Sequence, residues 1–388
     1  MTSSDRPRIG FVIHRFGEEV AGGVELYCRL LAERMSRHWE IEVITTCARD
    51  YSTWRDEFPA GKSKHGDVMV HRFPVDQKRQ PADFEKLTNQ VLESSSQEEQ
   101  VAWMRAQGPY SSSLLSYLET ASADFDLFFL FSYIYATTYF AGRILPGKYV
   151  LIPAAHDEPM LRLEIYKDVF SNALYLLYLT VEERRLIRRR MGQDFPGEVC
   201  GVGLSPLRCE AGFEKPERPY LIYVGRVDHP KGCGDLFSYF EHPPLRLPDV
   251  DLVVVGPIAM EIPDNPRIHA YGYLSEERKN ALLQGALALV MPSPFESLSL
   301  VLLESWQLGV PVIANERNEV LRGHCLRSGG GLLYGDVISF AECALSVLSS
   351  QFLRMKLGAL GHRYVQNVYN WENTERAFMN ALDQASAS

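Results

Sequence analysis

Short apolar runs alternate along the chain with longer stretches in which apolar residues recur every three or four positions. "RIGFVIH" (Arg8 to His14) is the first such run. A turn, "RFGEEVAGG", follows it, and then "VELYCRLLAERMSRH", where Val24, Tyr27, Leu31 and Met35 fall at helical spacing with charges between them. "EIEVITT" is the next strand candidate, and strand, glycine turn, helix and strand in this order predict a βαβ unit and a parallel sheet. Further strands are expected at "DVMVHRF", "DLFFLF" and "YVLIPAA". The polar, Gln/Glu/Ser-rich stretch from Gln77 to Gly108 reads as helix and loop, an insertion near the acceptor side. "LTVEERRLIRRRM" opens on a capping-box pattern, Thr180 with Glu183, and predicts a helix.

"SPLRCEAGFEKPERP" (Ser205 to Pro219) is rich in Pro, Gly and charge and has little periodicity, which marks a linker. A second α/β pattern begins directly after it. "YLIYVGRV", "DLVVVGP", "RIHAYGYL", "LALVMPS" and "PVIAN" are strand candidates, separated by helical stretches such as "SEERKNALLQGA". The last helix, "ENTERAFMNALDQ", has no strand partner. The pattern predicts an α/β protein of two Rossmann-like, doubly wound domains. Residues 1–205 form the first, 206–219 the linker and 220–365 the second, and 366–388 form a C-terminal helix that crosses between the domains and packs back on the first.

Composition narrows the function without changing this picture. The chain has 388 residues, 46% hydrophobic and 23% charged, enough for two cores. A net charge of -9 argues against binding nucleic acid through bulk electrostatics. No uninterrupted apolar run reaches the roughly 18 residues that a membrane-spanning helix needs. The start, "MTSSDRPRIGFVIH", lacks the apolar core of a secretory signal, so a cytoplasmic location is expected. The seven cysteines (Cys28, Cys47, Cys200, Cys209, Cys233, Cys325 and Cys343) form no C-x-x-C pair and read as isolated thiols.

Open α/β sheets bind ligands at the carboxyl ends of their strands, which directs attention to three segments. "AGGVE" (Ala21 to Glu25) places Gly22 and Gly23 just before a helix, where backbone amides can meet an anion; a plain tight turn explains it equally well. No G-x-G-x-x-G fingerprint is present, which counts against a nicotinamide or flavin enzyme. "YVGRVDHPKG" (Tyr223 to Gly232) ends a strand at Gly225 and supplies Arg226 and Lys231, a guanidinium and an ammonium suited to a diphosphate. "PSPFESLSLVLLE" (Pro292 to Glu304) carries Glu296 and Glu304 within an apolar stretch. A helix starting near Ser297 to Ser299 puts Glu296 at its N-terminus and Glu304 roughly two turns in. Eight residues at about 100° each leave the two about 80° apart, so both can border one cleft. Carboxylates among apolar neighbours need hydrogen-bond donors, and sugar hydroxyls are donors of the right kind. "GRILPGKY" (Gly142 to Tyr149) nearly matches a P-loop, but Tyr149 replaces the Ser/Thr and the glycines precede a strand, so it reads as a turn.

With these motifs, "AGGVE", "YVGRVDHPKG", "AYGYLSEERKNALLQGA" and "PSPFESLSLVLLE", the sequence resembles the family 4 retaining glycosyltransferases of the GT-B fold over essentially its whole length. The resemblance implies two Rossmann-like domains facing a central cleft, with a nucleoside-diphosphate sugar held mainly by the second. By motif position, Glu304 would hold the ribose hydroxyls and Glu296 the hydroxyls of the transferred sugar. Arg226 and Lys231 would neutralise the diphosphate, Gly225 would let it approach, and Gly272, Tyr273 and Leu274 would border the base. Ser297, Leu298, Ser299 and Leu300 would line the donor, and Gly22 and Gly23 would approach the phosphates from the first domain. "PAAHDEP" resembles the segment that sets a histidine, here His156, beside the reacting carbon. Many relatives carry glycines after the first Glu, where this chain has Ser297 and Ser299, which narrows the space around the sugar.

The resemblance implies retention of configuration by front-face attack, with a donor phosphate oxygen assisting removal of the acceptor's proton and no protein nucleophile. No cofactor and no metal are expected, since Arg226 and Lys231 occupy the phosphate position. The acceptor would be a glycan, lipid-linked or small molecule, in polysaccharide or glycoconjugate assembly. "ERRLIRRRM" gathers Arg184, Arg185, Arg188, Arg189 and Arg190; it reads as a solvated helix face or as a peripheral contact with anionic lipid heads at the inner face of a membrane. A sugar-nucleotide epimerase, a phosphorylase or a non-catalytic nucleotide-sugar-binding protein of the same architecture are the alternatives.

Overall fold

Branched and aromatic runs favour the extended, half-buried conformation of a strand, and in a computed structural model of the protein each anticipated run forms one. The structure describes residues 6–20, 22–93, 95–241 and 250–387. Residues 1–5 of the expected first domain and Ala21 of the glycine motif lie outside them. The chain divides into two compact units, Met1–Cys200 with Thr374–Ser388, and Gly201–Asn373.

The N-terminal unit is built on β1 (Arg8–Val12), β2 (Glu40–Thr46), β3 (Gly61–His65), β4 (Val68–Phe73), β5 (Leu127–Phe131), β6 (Tyr149–Ile152), β7 (Tyr175–Tyr178) and β8 (Gly197–Val199). They pair in the order β3-β4-β2-β1-β5-β6-β7-β8, parallel throughout except for the β3–β4 hairpin. The sequence pattern misses β3 because "GKSKH" has no apolar residue to alternate; it is an exposed edge strand, with Lys62 and Lys64 along it. β7 and β8 are missed because each is too short to show a period. Buried aromatics fill the layer behind the sheet: Phe129 of β5 stacks on Trp39 at 5.5 Å between ring centroids and on Phe378 at 5.1 Å. The stretch from Gln77 to Gly108, expected to be partly loop, forms the helices Pro81–Glu93 and Gln97–Gln107. Val91, Trp103 and Met104 anchor them in the core.

The C-terminal unit is a six-stranded parallel sheet of β9 (Tyr220–Val224), β10 (Asp251–Val255), β11 (Ile268–Gly272), β12 (Ala288–Met291), β13 (Val312–Asn315) and β14 (Gly331–Tyr334), ordered β11-β10-β9-β12-β13-β14. The order reverses between β9 and β12, so the loops leaving these neighbouring strands diverge and open a crevice at their carboxyl ends. Two glycines make the crevice's close approaches possible. A Cβ on Gly232 (φ 77°) would lie 2.5 Å from the Pro292 carbonyl oxygen, and one on Gly256 (φ 138°) 2.0 Å from that of Gly225.

Two expected boundaries move. Ser205–Pro219 contains no helix or strand, but it is not a free linker: it belongs to the C-terminal unit. Gln307 Nε2 donates to the Ser205 carbonyl (2.8 Å), Asn280 Nδ2 to that of Arg208 (2.9 Å) and the Glu210 amide to that of Glu277 (3.0 Å). The chain instead changes unit at Cys200/Gly201. The final helix is Trp371–Ala387 rather than 366–388, because Tyr369 and Asn370 end the preceding helix, Gln351–Val368. Its residues from Thr374 onward belong to the N-terminal unit, where Phe378 is fully buried.

Gly256→Ala is expected to cost more stability than Gly272→Ala. Gly272 has φ 64° but open space around it, so alanine there adds only the left-handed backbone penalty of about 1–2 kcal/mol. At Gly256 the methyl group also collides with the end of β9. Urea midpoints of the two variants measure the difference.

Candidate functional site

The loops after β9 and β12 meet through one ion pair. Lys231 Nζ donates to Glu296 Oε1 at 2.8 Å, with both side chains partly buried. Asp228 organises the first loop: it accepts from Arg226 Nε and, through Oδ1, from the Lys231 amide at 2.8 Å. The Tyr223 hydroxyl closes the turn by donating to the Arg226 carbonyl (2.7 Å). Gly225, at φ 155°, leaves no room for a side chain, since a Cβ would stand 2.9 Å from that hydroxyl. Arg226, Lys231 and Glu296 therefore share one end of the sheet at its switch point.

The second loop departs from expectation in its helix start. The helix is Leu300–Gln307 with Ser299 as N-cap, so Glu296 stands four residues before its first turn and is placed by Lys231 rather than by the helix dipole. Glu304 is consequently little more than one turn in. Ser297 and Leu298 lie in the loop, with Leu298 buried, and Leu300 opens the helix. Ser299 adopts φ 67°, ψ 78°, a left-handed conformation that a glycine takes without strain. Its side chain makes no capping bond, and Oγ is buried without a hydrogen-bond partner.

Glu304 is buried and does not stand alone. Lys279, on the helix Glu276–Gly285, donates from Nζ to Glu304 Oε2 at 2.8 Å and to Glu276 Oε2 at 2.6 Å. Burial alone would lower the Lys279 pKa, but the two carboxylates outweigh it and the net shift is upward. The same helix follows the segment Gly272, Tyr273 and Leu274, where Gly272 ends β11 and Tyr273 presents an exposed ring. Among the described residues no group of three or more His, Cys, Asp or Glu could hold a metal ion.

In the N-terminal unit, Gly22 is the N-cap of the helix Gly23–Met35, and both glycines are exposed. Beneath them lies the Glu25 carboxylate, 2.1 Å from where a Cβ of Gly22 would sit. Glu25 accepts from Arg15 and pairs with His14 Nε2 at 2.9 Å. Burial would raise its pKa, but His14 and Arg15 bring it down to about 2. His156 follows the carboxyl end of β6, its Nδ1 3.7 Å from Glu158 Oε1, which accepts from the Tyr133 hydroxyl at 2.7 Å. The adjacent Ala155 amide donates to Glu183 Oε1 at 2.6 Å, and the Leu179 amide to Glu183 Oε2 at 2.5 Å. On the basic helix Val181–Met191, Arg184 pairs with Asp194, and Arg189 and Arg190 with Asp157, which leaves Arg185 and Arg188 exposed outside those pairs. No helix among the described residues is long and apolar enough to cross a membrane.

Residues 218–350 match the family described as Glycosyl transferases group 1. The matched residues lie wholly within the C-terminal unit. Among curated proteins the chain is 26% identical over 197 residues to the lipopolysaccharide core biosynthesis glycosyltransferase LpsE of Rhizobium meliloti, covering 48% of this chain and 54% of that protein. It is 25% identical over 170 residues to a glycogen synthase of Mycobacterium tuberculosis, 40% of each chain. The matches thus span about half the length of these relatives. Solved structures match over nearly the whole chain. A sucrose-phosphate synthase from Thermosynechococcus elongatus has a TM-score of 0.74 at 19% identity, covering 99% of this chain and 100% of that one. Anabaena HepE in complex with UDP and glucose has a TM-score of 0.67 at 12% identity, covering 97% and 100%. At these identities the likeness speaks for the fold, and it supports the GT-B architecture that the motifs imply.

Within the C-terminal unit the structure brings Arg226 and Lys231 together with Glu296, and pairs Glu304 with a partner that the sequence reading missed. Lys279 sits three positions before Leu282 and four before Leu283, on the buried side of its helix. A lysine on an apolar stripe is the signal that could have drawn attention to it. In the N-terminal unit the overlooked residues are Arg15, His14 and Glu25, and Glu183, read only as a cap.

Glu183 gives the N-terminal unit a pH dependence. Burial pushes its pKa up to about 8, against the opposing effect of three backbone N–H bonds. A carboxyl raised in the folded state contributes stability that is complete below its unfolded value of 4.5 and is lost as pH rises through 8. The loss of stability between about pH 5 and pH 8 should be shallower in Glu183→Gln, as urea unfolding at each pH measures.

Proposed function

We propose that the protein is a retaining glycosyltransferase that moves a sugar from a nucleoside-diphosphate sugar to a hydroxyl of a glycan or glycoconjugate. The observation that carries this reading is the Lys231–Glu296 bond of 2.8 Å, which unites a phosphate-type cation and a sugar-type carboxylate at the sheet's switch point. Breaking the bond from the sugar to the diphosphate builds negative charge on the leaving group and positive charge on the sugar. Arg226 and Lys231 meet the first, Glu296 stands beside the second, and fixed charges of this kind are often the largest contribution to catalysis. Glu304 takes the ribose hydroxyls, while Gly272, Tyr273 and Leu274 border the base. The backbone amides of Ser297 to Leu300 face the donor. The phosphate charge is met by side chains, so the mechanism calls on no metal or cofactor.

The structural neighbours in complex with UDP, UDP-glucose and UDP-2-fluoro glucose support a nucleotide-sugar donor. LpsE and glycogen synthase support a glycan acceptor and a place in polysaccharide assembly. In the N-terminal unit, His156 and the Gly22–Gly23 turn stand at the carboxyl ends of the strands, where an acceptor would be met. A lipid-linked acceptor would bring Arg185 and Arg188 against anionic lipid heads.

The test is release of nucleoside diphosphate from a panel of UDP-, GDP- and ADP-sugars, with and without acceptor. Product formation that depends on acceptor and falls about 100-fold or more in Lys231→Ala, the scale of losing one charge-stabilising group, supports transfer. Release that ignores the acceptor favours a hydrolase or phosphorylase, and unchanged turnover in a folded Lys231→Ala removes the lysine from the mechanism. With lipid-linked acceptors in vesicles, a need for anionic lipid that Arg185→Ser/Arg188→Ser abolishes supports the membrane contact; indifference to lipid charge ends it.

A further inference from the structure

Glu304 sits inside the domain with little exposure, and a carboxylate there can stay ionised only if something compensates for lost water. The compensating group is the Lys279 ammonium, itself buried, at 2.8 Å. Lys279 reaches Glu304 from a different helix, Glu276–Gly285, whose N-cap Ser275 directly follows Gly272, Tyr273 and Leu274. One ammonium therefore ties the carboxylate expected at the ribose to the helix that begins where the base is expected. Its second bond, to Glu276 at 2.6 Å, fixes the lysine at the start of its own helix.

We propose that Lys279 is a positioning residue of the nucleoside subsite, one that holds Glu304 aimed at the ribose and couples it to the turn that borders the base. The proposal rests on the donor-site reading above. An ammonium donates three N–H bonds, and two of them are used here. Glu304 is held through Oε2, and no other described donor reaches its Oε1, which leaves that oxygen to accept from a ribose hydroxyl. Without Lys279 the carboxylate would lose the donor that fixes its Oε2, and Oε1 would no longer be held toward a ribose hydroxyl. Arg226 and Lys231 lie on a different loop and do not depend on Lys279, so affinity for the diphosphate alone should be indifferent to it.

The experiment is calorimetric titration of wild type, Lys279→Met, Glu304→Gln and the double variant with UDP, GDP and ADP, and with inorganic pyrophosphate as a probe lacking ribose. Expected is a loss of about tenfold or more in Lys279→Met for whichever nucleoside diphosphate binds wild type most tightly, the scale of a hydrogen bond to a charged group. Pyrophosphate affinity should be unchanged. The double variant removes both charges together, which guards against failure to fold, and should bind nucleoside diphosphate like Glu304→Gln alone. Equal nucleoside diphosphate affinity in wild type and Lys279→Met overturns the proposal. So does an equal loss for pyrophosphate, or a double variant weaker than Glu304→Gln. A wild type that binds none of the three nucleoside diphosphates overturns the donor-site reading itself.

Discussion

The bond between Lys231 and Glu296 is the constraint on which the rest of the site depends. Lys231 comes from the loop after β9 and Glu296 from the loop after β12, sixty-five positions further along the chain. The two strands are neighbours only because the sheet's order reverses between them. Gly232 supports the same junction, since any side chain there would meet the Pro292 carbonyl. Asp228 keeps the first loop in shape by holding both Arg226 and the Lys231 backbone. The result is a crevice whose cations and carboxylates hold one another in place, and fixed charge of this kind is effective against charge that develops in a reaction.

The domain concentrates its local conflicts at this crevice. Ser299 holds a left-handed backbone at the N-cap of the glutamate helix, and its buried hydroxyl has no partner. Residues in such conformations cost about 1–3 kcal/mol and persist where surrounding structure holds them. Lys279 and Glu304 form a buried ion pair, an arrangement that seldom improves stability over apolar packing. Both features make more sense as requirements of a ligand than as contributions to folding.

The doubly wound core was legible because its strands are short apolar runs bounded by glycine turns and charged helices, as in "YLIYVGRV" and "LALVMPS". An element without that contrast was not: "GKSKH" has no apolar residue. The helix start at Leu300 was misplaced because Ser297 and Ser299 look like ordinary caps, whereas Ser299 caps only through its backbone. That Lys231 and Glu296 meet could be anticipated from residue type and position after a strand. The partnership of Lys279 with Glu304 could not, because its place on an apolar stripe names no partner, and only the packing of two helices brings it to Glu304. Likewise, the segment Ser205–Pro219 has the composition of a linker, and its hydrogen bonds within the C-terminal unit depend on partners 67 to 102 positions away.

Hydrogen–deuterium exchange with and without a nucleoside-diphosphate sugar tests most directly whether the four charged residues form one binding crevice. If they do, bound donor slows exchange together in the backbone of 225–234, 272–276 and 296–304 and leaves the remainder of the C-terminal sheet unchanged. Donor binding that protects only one of these segments, or a surface away from the ends of β9 and β12, would contradict the account.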